Sequence, residues 1–558
     1  MKNVNISLSF ILLALITANA VSAEETEIRR KSERYANREI IDRILDKKAK
    51  GINAKLTDNI PELITKTLDP SEGLDTLSRL GVNDIFTETE DASSSLSLKQ
   101  VVEMALQNNI ALNIEKINPE IYETSVQSEK AAFDTNLSAT LSASDKRTKS
   151  INASDDITEG SNNGTTFSVE AENKSTSGIT TNVNASVNRT RTTSHSSLYA
   201  TRLGIDVTAP LMRGAGKAVN LVSLKKAELD LDWSKYEFYG YLLDFVSETE
   251  RKYWQYYLNV KELEIVKESY QLALQQREET MKRIEVGKIA ESELAAADAE
   301  VALCQEDLIN AESTVVSSAV SLLRCMNHDS DNFWRKRPNL TSVPKLREID
   351  QYDFNLEDCI EDALMLRPEL RQAELLQRKN ELEIVASRNG MLPRLDLFLS
   401  LGKTGYSKSF EGSEPSFNHK KPFDASVGLT YSLNPQKRAE RAKLNKANLN
   451  KKMQAESIKN LEQIIKEEVI KAYIEIKRTK EQMVATAATE QKQEEKLRVE
   501  NVKFNVGKTT AFQVSQAQRD LQASKIAQIK AIIDYTVAKS ELLRSTGLLL
   551  KFRGIEVE

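Results

Sequence analysis

The chain is expected to be mainly α with a membrane β part, built from two copies of one long helical hairpin. Three observations lead there: an internal repeat at fixed offsets, very long helical stretches, and short segments of strict apolar–polar alternation. The repeat comes first because it sets the architecture. At an offset of 258, Leu98, Ala105, Leu106 and Leu112 fall on Leu356, Ala363, Leu364 and Leu370, and Leu137 falls on Leu395. At an offset of 220, Lys217, Leu224, Ala227, Tyr253, Val286, Gly287, Lys288 and Ala297 fall on Lys437, Leu444, Ala447, Tyr473, Val506, Gly507, Lys508 and Ala517. The first copy therefore carries 38 extra residues between Leu137 and Lys217, about one hairpin of two strands.

The flanks of that insertion read as helix. Lys217 to Val286 holds no proline, and apolar residues recur at three- and four-residue steps, as in Tyr253, Tyr256, Tyr257, Val260 and Leu263. Leu98 to Phe133 and Ser292 to Asn327 predict helices of ~54 Å, and Lys217 to Val286 one of ~105 Å. Two short helices end to end thus match one long one. A pair so formed cannot bury both faces alone, and stacking pairs into a cylinder solves this.

Between the short and long helices the period changes to two. Leu395, Leu397, Leu399 and Leu401 alternate with Arg394, Asp396, Phe398 and Ser400, and Phe423 to Leu433 behaves alike. The first copy repeats the pattern in Ile179 to Asn188 and in Tyr199 to Leu211. Segments of about ten residues with this alternation suit a membrane barrel, and a soluble sandwich gives the same pattern. Two to four strands per copy cannot close a spacious barrel, so sister chains must share it, because an open edge in hydrocarbon leaves backbone groups unpaired.

Composition narrows the function classes. A net charge of −5, with 28% charged residues of mixed sign, gives no basic patch for nucleic acid. The only histidines, His195, His328 and His419, sit at no metal-ligand or triad-like spacing, so no catalytic residue, metal or cofactor is expected. Cys304, Cys325 and Cys359 form no metal or disulfide pattern and are expected as small buried hydrophobes. Arg213-Gly214-Ala215-Gly216-Lys217 hints at a phosphate loop, but Ala218 replaces the hydroxyl residue, which favours a strand-to-helix bend. Lys2, the apolar Ile6 to Ala18 and Val21-Ser22-Ala23 read as a signal peptide over 1–23, with cleavage after Ala20 as the competing choice.

At this point the residues resemble the TolC family of outer-membrane efflux proteins over Leu96 to Gly547. The resemblance is carried by the paired openings LSLKQVVEMALQNNIAL and FNLEDCIEDALMLRPEL, the strand exits Ala209-Pro210-Leu211 and Asn434-Pro435, and the turns Val286-Gly287-Lys288 and Val506-Gly507-Lys508. It implies a homotrimeric α-barrel crossing the periplasm, a shared transmembrane β-barrel in outer-membrane lipid, and a passive exit duct for efflux or type I secretion. The implied partners are a periplasmic adaptor protein and an inner-membrane transporter of RND or ABC type. The adaptor would dock at the tip turns, Gly287, Lys288, Gly507 and Lys508. Where family members carry gate aspartates after the second tip glycine, this chain has Gln513 and Gln516, and Glu291 and Glu293 follow the first glycine instead. A threefold ring of these glutamates would attract cations, whereas exposed helix-start acids give the plainer explanation.

The expected organisation is an N-terminal periplasmic extension over 24–95, the first repeat over 96–327 with strands in 135–211, and an equatorial linker over 328–353. The second repeat follows over 354–547 with a β-hairpin at 394–433, then a tail over 548–558. Of the extra 38 residues, a hairpin projecting from a wall of four strands per chain is favoured, twelve in a trimer; eighteen follows if both added strands join the wall. A periplasmic adaptor and a non-channel coiled-coil scaffold are the alternative readings.

Overall fold

The computed structural model describes residues 95–151, 157–192, 197–287, 290–327, 338–344, 354–413 and 423–555. The expected signal peptide, nearly all of the 24–95 extension and most of the 328–353 linker lie outside these residues. The first described elements are β1 (Ser95–Leu96) and α1 (Leu98–Asn108). Ser97 starts α1 with a capping box: its hydroxyl accepts from Gln100 N, and Gln100 Oε1 accepts from Ser97 N at 2.9 Å. The chain then breaks. Asn109 is extended, with φ −69° and ψ 120°, and its Oδ1 accepts from Leu112 N at 3.1 Å to start α2 (Ile110–Ala131). The single helix expected over Leu98 to Phe133 is therefore two.

A long hairpin follows the strands of the first copy: α3 (Lys217–Asn220), α4 (Val222–Glu285) and α5 (Ser292–Met326). After β6 (Asn339–Leu340), which pairs in parallel with β1, the second copy repeats the plan. Its α6 (Leu356–Leu366) stops at the extended Arg367, and Pro368 opens α7 (Pro368–Gly390), since proline has no N–H to lose at a first helical position. The second hairpin is α8 (Arg438–Asn505) and α9 (Ala511–Ser545), with α10 (Leu549–Arg553) after it. At 1.5 Å per residue α4 and α8 are roughly 100 Å long.

Short helices do stack end to end beside the long ones. At the first joint Asn109 Nδ2 donates to Cys325 O at 2.9 Å, and at the second Arg367 Nη1 donates to Ser545 O at 3.5 Å. The offsets 258 and 220 map one contact onto the other. α4 packs between α2 and α5 on one side and α7 and α9 on the other; α8 packs against α7 and α9. Burial follows that order. Tyr253, Tyr256, Val266 and Tyr270 of α4 meet Val301, Leu308, Val315 and Leu322 of α5, while Ile465, Val469 and Ile476 of α8 meet Tyr535 and Leu542 of α9. Over its 64 residues α4 buries 18, and over its 68 α8 buries seven, which marks α8 as an edge with one face uncovered. Leu449, Met453 and Ile474 lie exposed on it. The opposite edge is α2, where Ile110, Ile114, Ile117 and Ile121 form an exposed stripe at helical spacing.

The strands β2 (Asn136–Ile151), β3 (Ile157–Lys174), β4 (Thr180–Thr192), β5 (Leu198–Pro210), β7 (Arg394–Ser407) and β8 (Phe423–Ser432) form one antiparallel sheet in the order β2-β3-β4-β5-β7-β8. This corrects the favoured projecting hairpin. β3 and β4 pair along their length between β2 and β5, so all six strands belong to one sheet. The reason is visible in β3, where Phe167, Val169 and Ala171 continue the alternation of their neighbours.

The glycine-containing string after β5 is a bend. Gly214 and Gly216 have φ of +84° and +94°, Arg213 Nη2 donates to Gly390 O at 2.6 Å, and Asn389 Oδ1 accepts from Gly214 N at 2.9 Å. These bonds tie the end of the sheet to the end of α7. All three cysteines are buried and free, and burial pushes the Cys304 thiol up to about 11.

Candidate functional site

Two places deserve a functional reading: the hairpin tips and the sheet. At the tips Gly287 and Gly507 have φ of +67° and +71°, a region closed to most side chains. A Cβ at either would meet nothing within 4 Å, so the demand is on the backbone alone. Gly507 N donates to Phe504 O at 3.0 Å and Lys508 N to Lys503 O at 2.9 Å, the pattern that closes a helix C-terminus. Lys508 is exposed, and Lys288 lies outside the described residues.

The two tips are bonded to each other. Arg283 Nη2 donates to Asn505 Oδ1 at 2.9 Å, and its guanidinium lies 4.8 Å from the Phe504 ring centre. The Glu293 carboxylate accepts from Ala511 N at 3.3 Å, at the start of α9, where the helix dipole favours an anion. Further from the turn, Arg519 pairs with Glu300, Lys496 with Asp520 at 2.6 Å, and the Ser269 hydroxyl donates to Gln522 Oε1 at 2.6 Å. Burial raises the Glu300 carboxyl and the Arg519 charge opposes it.

The structure thus separates the candidate gate residues. Glu291 is exposed and caps no helix with its side chain, whereas Glu293 is half-buried and bonded across the hairpins. Gln513 and Gln516 are exposed; Gln513 accepts from the Thr509 hydroxyl, and Gln516 bridges Asp520 and Arg519 at 2.9 Å each. Sequence reasoning missed Arg283, Arg519, Glu300 and Asp520. The offset of 220 takes Glu300 to Asp520, so an acid at the same repeat position was the available signal.

In the sheet, apolar residues run unbroken across all six strands. Leu137 pairs with Ala171, Ala171 with Val183, Val183 with Ile205, Ile205 with Leu401, and Leu401 with Ala425. The reverse face bears Glu170, Asn184, Asp206, Ser400 and Asp424, with Arg202 paired to Asp424 at 2.6 Å. Along the pairing, the apolar stretch shifts from 137–143 on β2 to 395–401 on β7 and 423–433 on β8. That drift is about 1.2 residues per strand, which at ~3.3 Å per residue and ~4.8 Å between strands is a slant of roughly 40°. Membrane barrel strands tilt by ~35–45°, an angle of the same size.

Among the described residues no helix is long and apolar enough to cross a membrane, and no group of three or more His, Cys, Asp or Glu could hold a metal ion.

Comparison with known proteins agrees with this geometry. Residues 359–548 match the family model of the outer membrane efflux protein. No curated protein matches the chain. Among solved structures it is similar to the Campylobacter jejuni CmeC outer membrane channel, with a TM-score of 0.61 and 16% identity over 81% of this chain and 86% of that one. It is also similar to CusC, at 0.61 and 15% over 81% and 92%, and to the outer membrane protein VceC of Vibrio cholerae, at 0.60 and 13% over 81% and 96%. Residues 359–548 thus match the outer membrane efflux protein model, and the described chain shares the fold of these outer-membrane channels.

Proposed function

We propose that the protein is the outer-membrane channel of a tripartite efflux or type I secretion system. It forms a passive duct that receives substrate from an inner-membrane transporter through a periplasmic adaptor. The observation that carries this is the six-stranded sheet with one apolar face and two edges that no described strand pairs, joined to a helical layer that is open at both edges among the described residues. The β2 and β8 edges need partners in hydrocarbon, and the apolar stripes on α2 and α8 need cover in water. Because the two edges differ, each would meet the other on a neighbouring copy, a head-to-tail contact that closes into a ring. Three copies of six strands give an eighteen-stranded wall, a size that encloses an aqueous channel. The same ring sets the helices side by side as a periplasmic cylinder.

Residues 1–23 then act as the export signal, 24–95 as a periplasmic extension and 328–353 as the equatorial linker. The tip turns at Gly287, Lys288, Gly507 and Lys508 face the adaptor. Glu291 and Glu293 are the candidate acidic ring, which makes the tip cation-selective. Extraction tests the whole: a heat-sensitive trimer that needs detergent and conducts in planar bilayers supports the channel. A monomer released by salt washing would support an adaptor or scaffold instead. Glu293→Gln in the same bilayers tests the ring, and unchanged cation selectivity removes Glu293 from it.

A further inference from the structure

We infer that the apolar face of the sheet ends, on its loop side, in a cationic belt fitted to phosphate head groups of outer-leaflet lipid. The inference rests on the membrane placement proposed above. On the face that carries Leu137, Val183 and Leu401, the cations beyond the apolar band are Arg189 and Arg191 on β4, Lys403 on β7, and, past Asp145, Arg147 and Lys149 on β2. Against these five cations the described strand residues of the same face place two acids. Asp145 lies 3.7 Å from Arg147, and Glu159 lies 2.6 Å from Lys149. Among the described strand residues of this face the cations therefore outnumber the acids, five to two.

Two contrasts and an aromatic pair argue that this is more than a solvated strand end. At the opposite rim of the band the same face shows the neutral Thr181 and Asn173. In the rows that hold Arg189 and Arg191, the reverse face of β4 shows Asn188, Thr190 and Thr192. On β4 the positive charge is thus confined to one rim and one face. An aromatic pair sits with it: Tyr199, paired opposite Arg189, has that guanidinium 5.8 Å from its ring centre and Phe410 edge-on at 6.4 Å. Aromatic rings and long basic side chains belong where hydrocarbon meets head groups. A guanidinium presents paired N–H groups that match two phosphate oxygens, and each basic residue near an anionic surface strengthens binding about fivefold.

The test uses the full chain purified in detergent and mixed with an acylated disaccharide lipid bearing two phosphomonoesters, or with the same lipid after phosphatase treatment. Native mass spectrometry reads retention. The expected result is preferential retention of the phosphorylated lipid, reduced roughly 25-fold by joint Arg189→Gln and Arg191→Gln substitution. Lys146→Gln, on the reverse face of β2, should leave it unchanged. Equal retention of both lipids, or an equal loss in Lys146→Gln, overturns the belt. Insertion of the wild-type protein into phosphatidylcholine vesicles separates the two readings: insertion without phosphate preference removes the belt alone, and failure to insert removes the membrane placement as well.

Discussion

The two helix joints occupy equivalent places in the repeats and are held by different chemistry. In the first, neutral Asn109 caps α2 and donates to the last turn of α5. In the second, Arg367 reaches the last turn of α9 and also binds two carboxylates, Glu369 at 2.6 Å and Glu468 at 2.5 Å. Both joints meet one demand, a donor for the free carbonyls at the end of the lower helix. The second adds a buried charge, with the Arg367 side chain only 7% exposed. Duplication has preserved the geometry and let the chemistry drift, and the joints should differ in cost and in pH response.

Arg367→Ala should be the most damaging of the joint changes, costing about 2–4 kcal/mol in thermal unfolding. The value sits below the full penalty for orphaned buried charges because Glu369 and Glu468 are part-exposed and can recover water. Burial would raise the Glu369 carboxyl, but Arg367 outweighs it and holds it below the usual range. A depressed carboxyl stabilises fully above its unfolded pKa of about 4.3 and loses that contribution as pH falls through the folded value. The margin of wild type over Arg367→Ala should accordingly shrink in acid, and an unchanged margin from pH 7 to pH 3 would break the comparison.

Leu399→Arg, mid-band on the apolar face, should cost about 2–4 kcal/mol and lower the yield of heat-sensitive trimer, while Ser400→Arg on the reverse face should be tolerated. Equal effects at 399 and 400 would mean that the two faces do not meet different media. Asn109→Ala should cost about 1–2 kcal/mol with no acid dependence of its own, which sharpens the contrast with Arg367. Gly507→Ala should cost about 1 kcal/mol, from backbone strain alone, since the space beside it is open.

Much of this was readable because repetition leaves a register in the sequence. The hairpins, the end-to-end stacking and the alternating strands follow from offsets and periods. The breaks at Asn109 and Arg367 escaped because the apolar period runs through them, although Pro368 marked one. The fate of the extra 38 residues was misjudged for another reason. Strand count in a wall depends on pairing, and the alternation of Phe167, Val169 and Ala171 was the local sign that β3 has neighbours on both sides. At the tips, Glu293 was legible as an acid near a turn, but its bond to Ala511 joins residues 218 apart and belongs to packing. Arg283 with Asn505 and Arg519 with Glu300 are hidden in the same way.

Electron cryomicroscopy of the detergent-purified complex tests the central claim most directly, because the account requires open edges to close on sister chains. The expected particle is a threefold hollow cylinder whose membrane end is a single eighteen-stranded wall. A solid or monomeric particle, or a twelve-stranded wall with three hairpins standing outside it, would contradict the account.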